Sequence, residues 1–118
     1  METAEMLSHL LIGPLLLVFS CIFYYFPPKT INSLYGHRTT LSMKNQDTWM
    51  EANKRSSLMM MMVSAATCTL QLFGIVFHLD SANTILTATI FLVVGLVVGL
   101  LVVEKQLQSL FDKEGIRK

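Results

Sequence analysis

The 118-residue sequence is short of charge, and three long stretches have none. Asp, Glu, Lys and Arg make up 14 % of the residues, against about 25 % in an ordinary soluble domain. No charged residue occurs over residues 6–26, 57–79 or 81–103. A helix needs about 20 mainly apolar residues to cross a hydrocarbon core roughly 30 Å thick. A soluble chain of this length could not bury all three stretches, so we predict an all-α integral membrane protein with three transmembrane helices.

Metal ligands and catalytic pairs are also scarce. The sequence has two cysteines and three histidines, and no ligand-type residues stand at the spacings of a metal site or a disulfide framework. Cys21 and Cys68 lie within uncharged stretches, where a free thiol behaves as a small apolar group. No nucleophile lies at a useful spacing from a base. We therefore expect no metal, no cofactor, no nucleic-acid partner and no enzymatic activity.

The first helix is expected at about residues 6–26. Gly13 and Pro14 lie near its middle and predict a kink, because proline removes one backbone hydrogen bond and crowds the preceding turn. Two consecutive prolines then end the helix, and a loop at residues 27–56 follows.

The second helix should begin inside that loop. No Gly or Pro interrupts residues 44–73, and Ser42 or Asn45 can cap a helix start. We predict a helix over about residues 45–79. At 1.5 Å per residue such a helix is about 52 Å long, so about four turns should project from the membrane into water.

The third helix is predicted at about residues 84–103, with Ser81 or Asn83 as its cap. The connection from the second helix is short, so these two helices should form an antiparallel hairpin. A mixed-charge tail at residues 104–118 completes a single domain that covers residues 1–118.

Lys and Arg are unevenly distributed among the segments between the helices. None precedes the first helix, five lie in the loop, none lies in the second connection and four lie in the tail. Positively charged segments remain in the cytoplasm. We therefore predict that the N-terminus lies outside, and that the loop, the projecting part of the second helix and the C-terminal tail are cytoplasmic.

Small and polar residues recur along the second and third helices, where they let helices approach closely in lipid. The residues concerned are Ser64, Thr67, Gln71, Gly74, Gly95 and Gly99. Alternatively, Thr67, Gln71 and His78 line a substrate path, since polar groups inside a membrane often mark one. No ionisable residue lies centrally in any span, which favours packing. We expect membrane lipids as partners, and a homo-oligomer or a larger membrane complex.

A spaced set of residues in and after the loop is the strongest candidate for a functional site. Its members are Asn32, Gly36, Arg38, Thr39, Ser42, Trp49 and Asn53. Gly36 suggests a turn with positive φ, and Arg38 offers a fork of donors for phosphate, carboxylate or backbone oxygens. Trp49 and Asn53 are four residues apart and share a helix face. We expect the loop to fold onto that face, with Arg38 anchored by Asn53 or backbone carbonyls and its outer side free. The set is therefore either a binding motif or a structural scaffold.

This set resembles the signature of the SdpI family of bacterial membrane immunity proteins, and with its flanking helices the resemblance covers roughly residues 27–103. The chain resembles a short member that contains only the signature domain. The resemblance implies location in the bacterial inner membrane and protection of a bacterium from a secreted, membrane-active toxin peptide. It also implies a toxin peptide or a cytoplasmic regulator as partner. The alternative function is an accessory subunit of a larger membrane complex.

Overall fold

The computed structural model describes residues 2–32 and 36–118. Its helices are α1 (Thr3–Leu10), α2 (Gly13–Tyr25), α3 (Gln46–Val76) and α4 (Ser81–Leu110). Three helical segments, α1 with α2, α3, and α4, are long and apolar enough to cross a membrane. Within the described ranges, β-type pairing is limited to an isolated bridge between Phe111 and Arg117. The predicted all-α architecture with three membrane-spanning segments is therefore confirmed.

The first span is broken rather than kinked, unlike the continuous helix expected over residues 6–26. Two residues separate α1 from α2. Pro14 has no N–H to donate, and the Gly13 N–H turns to the side chain of Gln71, with 3.2 Å between Gly13 N and Gln71 Oε1. The Gln71 amide donates in turn to the backbone carbonyl of His9 at 2.9 Å. A side chain on α3 thus replaces hydrogen bonds that the first helix loses at the break.

Helix α3 starts with a reciprocal cap. Asn45 Oδ1 accepts from the Thr48 N–H at 2.9 Å, and Thr48 Oγ1 accepts from the Asn45 N–H at 3.1 Å. Asn45 was one of the two predicted caps. The helix has 31 residues, so it is about 46 Å long and exceeds the roughly 30 Å hydrocarbon core. It ends at Val76, three residues before the predicted end.

The turn between α3 and α4 contains the groups that end α3 and begin α4. His78 adopts the left-handed conformation, φ 52°, and the N–H of the next residue donates to the Gly74 carbonyl at 2.9 Å. This is the geometry of a Schellman motif, which terminates α3. Asp80 then caps α4, because its Oδ2 accepts from the Asn83 N–H at 3.1 Å. The predicted caps, Ser81 and Asn83, both lie inside α4, so the helix begins earlier than expected.

Helix α4 was predicted to end at about residue 103, and it continues to Leu110. The added turns carry Leu107, which is fully buried, and lead to Phe111, which is 1 % exposed. Both pack with Ala52 of α3 in one apolar cluster. The helix continues because its apolar side chains have a core to cover, so the tail is part of the folded domain.

Helix α3 lies between the other two spans and packs along both α2 and α4. The interior changes in character along the 52 Å long axis. Inside the spans most of the buried residues are small or polar, among them Ser20, Ser64, Thr67, Gln71, Gly74, Thr84, Ala88 and Gly99, and Met59 is a large apolar exception. The end that carries the loop adds an apolar cluster of Ala52, Leu107 and Phe111, together with the buried Trp49 and Val103, and it also buries polar residues such as His37, Ser42, Thr48 and Asn53. Apolar burial drives folding only against water, whereas helices in lipid depend on close approach.

The glycine pair of α4 packs within the chain. A Cβ atom at Gly95 would lie 2.9 Å from Val63 Cγ1, and one at Gly99 would overlap the sulfur of Met59. Both glycines therefore allow α4 to approach α3. The expected homo-oligomer or larger complex stays a prediction, and Gly99, which is buried against α3, is not available as its contact surface.

Candidate functional site

The loop lies against the first turns of α3, on the face that carries Trp49 and Asn53. These side chains are 0 % and 4 % exposed. Asn53 Oδ1 accepts from the His37 N–H at 2.7 Å, and Asn53 Nδ2 donates to the Trp49 carbonyl at 2.8 Å. Trp49 Nε1 donates to the Pro28 carbonyl at 2.6 Å. The loop is thus tied, at two separate points, to the helix face that the sequence spacing indicated.

Gly36 makes this close approach possible. Its φ of +109° lies in a region that side chains rarely tolerate. A Cβ atom there would lie 2.6 Å from Asn53 Oδ1 and 3.2 Å from Trp49 Cη2. Both the backbone conformation and the available space therefore require glycine at this position.

Ser42 and Thr39 close a turn by exchanging hydrogen bonds. Ser42 Oγ accepts from the Thr39 N–H at 2.7 Å, and Thr39 Oγ1 accepts from the Ser42 N–H at 3.2 Å. The Ser42 hydroxyl donates to the His37 carbonyl at 2.8 Å, and its own side chain is fully buried. These two hydroxyl residues of the motif therefore act on the loop itself and fix its shape.

Glu104 joins the loop to α4, and it is not among the residues predicted for the site. Its Oε2 accepts from Thr39 Oγ1 at 2.9 Å and lies 3.3 Å from His37 Nε2. His37 is 8 % exposed, and it forms an ion pair with Glu104 when protonated. One signal was available, because Glu104 is the first charge after the uncharged stretch 81–103. It therefore had to lie at the same end as the basic loop.

Arg38 has a different environment from the rest of the motif. Its neighbours His37 and Thr39 face Glu104, whereas the side chain of Arg38 is exposed. Across residues 2–32 and 36–118, no group forms a hydrogen bond or an ion pair with its guanidinium. The expected anchor to Asn53 is not formed: the Asn53 oxygen accepts from the His37 N–H, and the Arg38 side chain is exposed.

Asn32 is the remaining residue of the predicted site. It is half-buried, and its Nδ2 donates to the Thr30 carbonyl at 3.1 Å. Residues 33–35, between Asn32 and Gly36, lie outside the described residues.

The C-terminal tail supports the start of α3 from the other side. Asn45 Nδ2 donates to the Gly115 carbonyl at 2.7 Å. Arg117 donates to both carboxylate oxygens of Asp47, at 2.7 and 3.2 Å, and stacks over Phe111 with its guanidinium carbon 4.7 Å from the ring centre. The hydrogen bond from Asp47 raises the pKa of Arg117 above its ordinary value. The tail and the loop thus both contact the start of α3.

A cavity of about 210 Å³ lies beneath the loop, between Phe23 at the end of α2, Gly36, and Leu100 on α4. Its walls are mainly apolar, and the buried hydroxyl residues Ser56 and Ser57 also line it. The site therefore combines an exposed cationic side chain with a nearby space suited to an apolar group.

Charge divides this end of the molecule sharply from the other. Residues 27–56 and 104–118 contain all nine Lys and Arg residues of the chain and five of its eight acidic residues. The opposite end carries only Glu2, Glu5 and Asp80. The loop end is therefore positively charged and the opposite end negatively charged.

Comparison with known proteins supports the resemblance drawn from the motif. Residues 29–104 match the SdpI/YfhL protein family, so the match begins in the loop and ends at Glu104. A protein named "Uncharacterized protein YfhL", from Bacillus subtilis (strain 168), is 31 % identical over 103 residues, which is 87 % of this chain and 88 % of the relative. No solved structure matches the chain. The chain belongs to the SdpI/YfhL family of membrane proteins.

Proposed function

We propose that this protein is an immunity-type membrane protein whose cytoplasmic loop binds a phosphate or carboxylate group through Arg38. The family supplies the immunity role, which is protection against a membrane-active toxin peptide. The ligand group belongs to a peptide, a lipid or a cytoplasmic partner at the membrane surface. The proposal assigns binding to the site and no catalytic step.

The observation that carries this proposal is the contrast between Arg38 and its neighbours. Four residues of the motif have roles within the protein, because they shape the loop or tie it to α3 and α4. They are Gly36, Thr39, Ser42 and Asn53. The Arg38 guanidinium forms no hydrogen bond or ion pair with the described residues, and a guanidinium fork is well suited to bind two oxygens of an anion at once. The hydrogen bonds of His37 and Thr39 fix the backbone on both sides of Arg38, which lowers the backbone entropy lost on binding.

The distribution of charge supports the proposed orientation in the bacterial inner membrane. Lys and Arg are confined to the loop end, and cytoplasmic segments carry the excess of these residues. An apolar cluster of Ala52, Leu107 and Phe111 lies at that end, and burial of apolar side chains stabilises a fold only where the alternative is water. The charges favour the cytoplasmic side, and the cluster favours projection of the loop end into water.

The test compares Arg38→Lys and Arg38→Ala with the wild-type protein in two assays. Sensitive bacteria that express each form are challenged with membrane-permeabilising peptide toxins, and survival and membrane depolarisation are measured. The melting temperature of each purified form is measured in detergent. We expect both variants to melt like the wild type and to lose protection, because Arg38 is exposed and has no partner among the described residues.

Arg55→Lys is the matched control. The Arg55 guanidinium donates to Glu51 at 2.8 Å and to Gln106 at 3.1 Å, so the same change there removes contacts within the protein. A partly exposed pair of this kind is worth about 0–1 kcal/mol, so Arg55→Lys should lower the melting temperature slightly and leave protection intact. Full protection by Arg38→Ala would disprove the proposal. So would a larger loss of stability in Arg38→Lys than in Arg55→Lys.

A further inference from the structure

A second pocket lies at the end of the molecule opposite the loop. Its volume is about 250 Å³, and α1, the end of α3 and the start of α4 surround it. We call residues 2–9 and 77–83 the acidic end, because they include Glu2, Glu5 and Asp80 and no Lys or Arg. Such a surface attracts a positively charged group.

His9 lines this pocket, and its tautomer follows from its partners. The Gln71 amide oxygen must face the Gly13 N–H, so its nitrogen faces His9. That nitrogen lies 3.1 Å from His9 Nδ1, which therefore accepts, and the ring proton is on Nε2. His9 is 6 % exposed and lines the pocket. No described residue accepts from Nε2–H, and this atom is not sealed from solvent.

Glu5 and His78 line the same pocket. In the described part of the chain, neither side chain forms a hydrogen bond or an ion pair. Asp80 differs, because its carboxylate caps α4. His78 occupies a left-handed position, φ 52°, where glycine is usual at a helix end.

An apolar groove along the first span adjoins the polar pocket. The groove has a volume of about 470 Å³ and shares His9 and Ile75 with the pocket. Met6, Leu10 and Leu72 give it an apolar wall. A ligand that fills both spaces must carry a polar head and an apolar chain.

We propose that the acidic end binds the headgroup of a phospholipid that carries a primary ammonium group. The ammonium donates to the Glu5 carboxylate, a phosphate oxygen accepts from His9 Nε2–H, and an acyl chain occupies the groove. A metal ion does not suit the pocket, because no group of three His, Cys, Asp or Glu side chains within the described residues could hold one. This site is separate from Arg38 and does not depend on the function proposed above.

The test measures lipid affinity by native mass spectrometry of the purified, delipidated protein. It compares short-chain phosphatidylethanolamine with phosphatidylcholine of the same acyl chains. The choline headgroup has the same charge but no N–H to donate. We expect phosphatidylethanolamine to bind about tenfold more tightly, since a hydrogen bond to a charged group is among the strongest in proteins. Glu5→Gln should remove this preference.

Glu2→Gln is the matched control, because it makes the same change at the same end of the molecule and Glu2 does not line the pocket. It should keep the preference. Equal binding of the two lipids by the wild-type protein would overturn the proposal, whatever the folding of the variants. An equal loss in Glu2→Gln and Glu5→Gln would overturn it too, since that result would indicate general charge attraction. If octylamine bound as tightly as phosphatidylethanolamine, the phosphate contact would be disproved.

Discussion

Asn53 is the residue whose removal best tests the structure of the loop site. Its Oδ1 accepts from the His37 N–H at 2.7 Å in a buried environment. In Asn53→Ala that N–H loses its acceptor, and an unsatisfied buried donor costs about 1–3 kcal/mol. The substitution also removes the hydrogen bond from Asn53 Nδ2 to the Trp49 carbonyl, which adds little because that carbonyl keeps its partner within α3. The expected loss of unfolding free energy is therefore about 1–3 kcal/mol, or a fall in melting temperature of roughly 3–10 °C.

The assay can use a probe that the sequence already provides. Trp49 is the single tryptophan of the chain, it is fully buried, and its Nε1 donates to the Pro28 carbonyl. Its fluorescence should shift to longer wavelength as the loop detaches on heating in detergent. Asn83→Ala is the control, since Asn83 is exposed and its side chain has no partner among the described residues. Such a change alters stability by no more than about 0.5 kcal/mol. Overlapping melting curves for Asn53→Ala and Asn83→Ala would refute the account of the loop.

Two further predictions concern packing and orientation. Gly99→Leu should lower stability by about 1–3 kcal/mol through overlap with Met59 and leave the crosslinked oligomer pattern unchanged, whereas Val97→Leu, at an exposed position, should change neither stability nor the oligomer pattern. An altered oligomer at an unchanged melting temperature would contradict the packing within the chain. With both native cysteines replaced, a cysteine at Glu2 should react with a membrane-impermeant maleimide in intact cells and one at Lys44 should not. Labelling on the opposite sides would reverse the proposed orientation.

The spans could be predicted from the sequence because a long uncharged, apolar stretch indicates a lipid environment. The helix ends were harder to predict, since they depend on single side chains. Asn45 was correctly among the predicted caps, whereas Asp80 was overlooked in favour of the two polar residues after it. The extension of α4 depends on the burial of Leu107 and Phe111 against α3. This is a tertiary contact, so the local sequence of α4 does not predict it.

The same division applies to the candidate site. Trp49 and Asn53 could be placed on one face because a spacing of four residues is a local property of a helix. Glu104 lies 65 residues from Thr39, and only the folded chain brings the two together. The predicted anchor for Arg38 failed for a related reason. The sequence showed that Asn53 could accept a hydrogen bond, but not that the donor would be the backbone N–H of His37.

The break in the first span has a consequence for how the protein is made. The acceptor for the Gly13 N–H is Gln71, 58 residues further along the chain. At about 5–20 residues per second, the ribosome needs roughly 3–12 s to synthesise that interval. During this time the first span enters the membrane without the side chain that holds its two parts. Pro14 allows the helix to bend, but the final geometry is acquired only when α3 arrives, so insertion of the first span and its final folding are separate events.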